Sequence, residues 1–119
     1  MMSQLLGHHS VVKEFDEAKA TTIQGTITKV EWINPHVWLY MDVKNLNGSI
    51  TNWSIEIASP NTLFRASINP LTIQTGKSYS VEIWPARNGS SKANGRKITL
   101  GDGSVLNISD KFPGAYLPQ

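Results

Sequence analysis

The three histidines of the chain fall in two places: His8 and His9 in the run GHHS, and His36 in the run WINPHVWLY. Imidazole nitrogen is a common ligand for copper, zinc and nickel. Adjacent histidines lack the i,i+4 spacing that sets two imidazoles on one helix face. They suit a chelate built on a chain terminus instead. A chain beginning at Gly7 would offer its amine, two deprotonated amides and the His9 imidazole to Cu(II) or Ni(II) in a square plane. One beginning at His8 would offer the amine and imidazole of His8, with His36 completing the set. His8, His9 and His36 are therefore the candidate ligands for a metal ion, Cu(II) or Zn(II).

His36 also sits among aromatic residues. Trp32, Trp38 and Tyr40 surround an Asn34-Pro35 turn, and exposed aromatics stack on bases, sugars or another protein. Trp32, Asn34, His36, Trp38, Tyr40 and Glu56 form the candidate ligand-binding set. Glu56 is the carboxylate nearest to acting as an acid/base partner for His36, but the strand register worked out below sets it opposite Trp38. No G-x-S-x-G elbow is present, so nucleophile chemistry has no context. NGSSKANG lacks the G-K-[ST] ending of a phosphate-binding loop. The expectation is a chain that binds and does not catalyse.

These residues must be held by strands, because the sequence alternates with period two. Residues 21–33, TTIQGTITKVEWI, read as a long first strand. Ile23 and Ile27 share one parity, and Val30 and Trp32 share the other. One extra residue in the strand, a β-bulge, produces such a switch, and Gly25 offers room for a bend. A second strand follows over about 36–44. Val37, Leu39, Met41 and Val43 make its buried face, and His36, Trp38, Tyr40 and Asp42 the other. NLNGS is a hairpin signal with Gly48 suited to positive φ.

The third strand runs over about 50–57, with Thr51, Trp53, Ile55 and Ile57 inward and Asn52, Ser54 and Glu56 outward. With Leu46 and Asn47 at the tip, residues whose numbers sum to 94 face each other. Met41 then meets Trp53, Leu39 meets Ile55, and Trp38 meets Glu56. A two-residue turn on Asn47-Gly48 would mix the faces and is rejected.

SPNTLFRAS reads as a short helix with Ser59 as N-cap, Pro60 at its first position and Leu63 and Phe64 on its apolar side. Residues 78–84 alternate with Tyr79, Val81 and Ile83 inward. ARNGSSKANG reads as a polar loop. RKITL and VLNIS flank GDG as a second hairpin, and KFPGAYLPQ as a tail anchored by Phe112 and Tyr116. Three strands, a short helix and two or three further strands give an all-β fold. A small OB-like antiparallel barrel of five to six strands is expected, its helix between strands three and four, with a small sandwich as the alternative. Residues 1–20 form an N-terminal arm, 21–110 the barrel and 111–119 a C-terminal tail. In such barrels the outer face of strands two and three is the usual ligand platform.

Composition narrows the function further. The 119 residues fit one domain, and 39% are hydrophobic. Without cysteine there is no disulfide framework, thiolate zinc site or cysteine nucleophile. The net charge is +2 with a pI of about 9.0, and only Arg96 and Lys97 are adjacent cations. A surface that follows phosphates needs a cluster, so nucleic acid ranks last among partners. No window reaches the roughly 18 apolar residues of a membrane span, and MMSQLLGHHS is too short for a secretory signal. The partners left open are a metal ion and a protein, a second copy of the chain included.

HHSVVKEFD, GTITKVEWINPHVWLYMDVKN, TNWSIEIASPNTLFR and LTIQTGKSYSVEIWPARNGSSKANGRKITLGDG together resemble a family of small exported bacterial proteins of unknown function. Its members carry an N-terminal H-H-S and a W-x-N-P-H-x-W motif. The resemblance runs from His8 to about Gly103 and rests on His8, His9, Trp32, Asn34, Pro35, His36 and Trp38. It implies a periplasmic or secreted home and supplies no activity.

Overall fold

A first strand that serves two neighbours organises the protein, a computed structural model of which describes residues 13–110 and 113–115. Strand β1 spans Thr21–Glu31. Its first half, Thr21 to Thr26, pairs with β4 (Ser78–Pro85), and its second half pairs with β2 (Trp38–Lys44). Thr28 is an extra residue between the Ile27–Met41 and Lys29–Tyr40 pairs. This bulge is the one that the parity switch requires. It keeps Ile27 fully buried while Val30 and Trp32 also pack against the core.

Gly25 has a different role from the flexibility expected of it. A Cβ there would overlap the Asp42 carbonyl and crowd Met41. The glycine lets the strand pass close to β2 where it changes partner.

Strand β2 pairs with β3 (Ile50–Glu56) in the register of numbers summing to 94, from Trp38–Glu56 to Lys44–Ile50. Asn45 and Gly48 close the turn between them, and Gly48 has φ +89°. Helix α1, Pro60–Arg65, begins where expected: the Ser59 hydroxyl accepts from the Thr62 amide at 3.2 Å, and Leu63 is buried. Strand β5, Lys92–Thr99, pairs antiparallel with β4 and, over Lys92 to Asn94, parallel with β3. The order β1–β2–β3–β5–β4–β1 closes a five-stranded barrel, with the one short helix between β3 and β4. Strands β6 (Val105–Asn107) and β7 (Gly114–Ala115) extend the sheet beyond β5.

Two expectations are corrected, and the seating of the arm, which the sequence left open, is seen. The polar run before Arg96 is a loop only as far as Ser91; from Lys92 the chain is strand, with Ala93 fully buried. Its polarity conceals this because the closing contact with β3 is non-local. The tail contributes β7, which pairs Ala115 with Leu106, while Phe112 and Tyr116 lie outside the described residues. The arm is integral to the fold at its end: Phe15 is fully buried and bridges to Ala86. Its neighbours lock it there, Asp16 N–H donating to Pro85 O and Arg87 N–H to Glu14 O.

Candidate functional site

Cross-strand pairing fixes a row of side chains on the outer face of the barrel. Glu31 pairs with Trp38, Trp38 with Glu56, Glu56 with Asn94, and Asn94 with Trp84. Because each partner shares its neighbour's face, the row runs across β1, β2, β3, β5 and β4. Tyr40 and Ser54, with Lys92 beside Ser54, form the next row.

Charges hold this surface in place. Tyr40 donates its hydroxyl to Glu31 at 2.7 Å, and Lys29 meets the other oxygen of Glu31 at 3.0 Å. The Tyr40 hydrogen bond first, and then Lys29, hold the Glu31 carboxyl below its ordinary range. The Lys92 ammonium lies 5.5 Å from the Trp38 ring centre and pairs with Glu14. Arg96 stacks on Trp84 at 3.7 Å and donates to Asn94 Oδ1 at 2.6 Å.

His36 stands at one end of the row between two carboxylates. Its Nδ1–H donates to Glu56 at 3.0 Å, and its Nε2–H to Asp110 at 3.0 Å. Asp110 first, and then Glu56, raise the His36 pKa to about 10. The ring is thus an imidazolium at neutral pH with both nitrogens as donors. It has no lone pair to act as a base. It could ligate a metal only after losing a proton and giving up one carboxylate. The two carboxylates meet opposite edges of the ring, so they do not converge on one point with an imidazole nitrogen. No group of three or more metal-binding side chains occurs among the described residues.

His36, Trp38, Tyr40 and Glu56 do share one face, as the sequence indicates. The expected separation of His36 from Glu56 is corrected: they touch diagonally, because His36 lies one step beyond the ladder on the same face as Trp38. Trp32 stacks on Phe64 of α1, with centroids 5.3 Å apart and planes at 15°. It faces the helix side of the loop after β1. Asn34 is exposed beside it, in a cis peptide bond to Pro35. His8 and His9 lie outside the described residues.

Asp110, Lys92, Asn94, Arg96 and Trp84 were not singled out by sequence. Nothing local links Asp110 to His36. For Arg96 a signal existed: it has the parity of the buried Ile98, where a charge is out of place, and only a bulge reconciles the two.

Residues 1–96 match the profile of a family of unknown function, DUF6152, and the chain belongs to that family. Neither a curated protein nor a solved structure matches it. No helix among the described residues is long and apolar enough to cross a membrane.

Proposed function

We propose that this chain is a non-enzymatic binding module, periplasmic or secreted, which contacts a protein partner through the outer face of β2, β3, β5 and β4. One observation carries it: the row Trp38, Glu56, Asn94 and Trp84, aromatic at both ends and polar between, held still by ion pairs and hydrogen bonds. Aromatic anchors with little rotamer freedom, ringed by satisfied polar groups, are what protein interfaces use. Because both nitrogens of His36 are donors to carboxylates, this imidazole is committed to holding the face together and is not poised as a base. Lys29 and Lys92 already have carboxylate partners, which leaves little of the free positive charge that nucleic acid requires.

A photo-crosslinking side chain at Tyr40, compared with one at Asp102 on the β5–β6 turn, tests this in cells of the source organism. A discrete adduct, heterologous or with a second copy, formed from position 40 alone supports it. Equal labelling from both positions, or none from position 40, overturns it. Binding of Cu(II) or Zn(II) through His8, His9 and His36 is the competing function, supported by the GHHS run. Stoichiometric quenching of tryptophan emission by either ion, lost in His36→Ala, would favour it instead.

A further inference from the structure

The pairing of β4 with β5 is interrupted by one residue. Ile83 faces Gly95 and Glu82 faces Lys97, so Arg96 is the extra residue of a bulge. Simple alternation would give Arg96 the same face as Ile98, which is fully buried. The bulge turns Arg96 outward while Lys97 stays beside Glu82 at 3.9 Å. Bulges re-aim side chains in this way near functional sites. Gly95 permits this backbone path, since a Cβ there would lie 2.7 Å from Ile57 Cγ2 and 2.9 Å from Ile55 Cγ2.

The guanidinium so aimed is unusual among the cations of this face. One side of it lies on the Trp84 ring at 3.7 Å, and Nη1 donates to Asn94 Oδ1 at 2.6 Å. Asn94 is itself buried. Lys29, Lys92 and His36 each have a carboxylate partner. Arg96 has none within 4.0 Å among the described residues, although it is half-buried and desolvation pulls its pKa down. With a neutral amide and an indole as its direct contacts among the described residues, the guanidinium keeps donors that stay open to solvent and so to a ligand. Stacked and oriented, it is preorganised for an in-plane, two-point contact with an anion.

We infer that Arg96, stacked on Trp84 and oriented by Asn94, is a carboxylate-binding site at the edge of the contact face. The carboxylate belongs to an acidic side chain of the partner or to a free organic acid. A singly charged planar group fits better than phosphate, because Glu82, Glu17 and Asp110 stand close enough to act on Arg96 and would repel a dianion more strongly. The site deepens the proposed contact face and rests on it.

The test is a titration of the 15N-labelled full chain, followed by the Arg96 Nε–H and Trp84 indole resonances at constant ionic strength. The probes are sodium acetate, a capped pentapeptide with a single glutamate, sodium phosphate and sodium chloride. Saturable shifts are expected with acetate, half-saturating at least about tenfold below chloride and phosphate. Tighter saturation by the peptide assigns the carboxylate to a protein, and equal or weaker saturation to a small acid. Arg96→Lys should weaken acetate about tenfold by removing the fork. Asn94→Asp, nearly isosteric, should abolish the response by supplying a competing carboxylate within the fold. Equal shifts with chloride, stronger binding of phosphate, or an undiminished acetate response in Asn94→Asp would overturn the site. Failure here with a position-40 adduct intact would remove the carboxylate site and leave the contact face standing.

Discussion

His36 shows how one side chain ties distant parts of the chain together. It lies between β1 and β2, yet its partners are the last residue of β3 and Asp110, 74 positions away. Its pKa is raised from 6.5 to about 10. A group whose pKa is raised by folding stabilises the fold fully below its unfolded pKa, here about 6.5. That contribution is lost as pH climbs towards about 10. Asp110 is 55% exposed, so solvent screens part of the effect, and about 1–2 kcal/mol is the expected size. Urea unfolding between about pH 6 and pH 10 should show stability falling as pH rises. His36→Gln should flatten that fall; an unchanged slope would mean that the double ion pair contributes nothing in solution.

At the scale of elements, one glycine marks where two strands come too close for a side chain. Gly25 lies where β1 passes from β4 to β2, beneath the Asp42 carbonyl. The obstacle is backbone, which cannot rotate away as a side chain could. Gly25→Ala should therefore destabilise the barrel by about 1–3 kcal/mol or more, the range of overpacked interiors. Chemical denaturation would measure it as a lower midpoint. A shift no larger than that of an exposed glycine such as Gly101, where nothing obstructs a Cβ, would refute the close approach. The bulges at Thr28 and Arg96 act at this scale too, each re-phasing a strand so that one sequence can serve two neighbours.

The whole molecule is closed by contacts remote in sequence. Only Ser54 to Glu56 of β3 pair with Lys92 to Asn94 of β5, and the segment before β1 lies along the turn just before that seam. Phe15, fully buried and bridged to Ala86, is the anchor, and Lys92 lies over both its ring and that of Trp38. Phe15→Ala should lose about 3–5 kcal/mol, as truncations of buried aromatics do. If the segment supports the seam as the contacts indicate, hydrogen exchange at Ala93 and Asn94 should quicken along with the global loss. Protection unchanged at those amides, relative to the rest of the barrel, would separate the arm from the closure.

Much of this was legible from residue order. Alternation in β2 and β3 fixed which side chains face the core and which face out, since a strand has only two faces. The NLNGS turn then set the register to the residue, and the parity switch in β1 required the bulge at Thr28. Thus the common face of His36, Trp38, Tyr40 and Glu56 followed from local rules. What alternation cannot express is contact between segments with no shared period. The strand character of Lys92 to Gly95, the seating of Phe15, the approach of Asp110 to His36 and the stacking of Arg96 on Trp84 all depend on barrel closure. Closure joins residues whose sequence separation carries no pattern, so tertiary structure alone decided that His36 is a clamped imidazolium and Arg96 a cation laid on an indole.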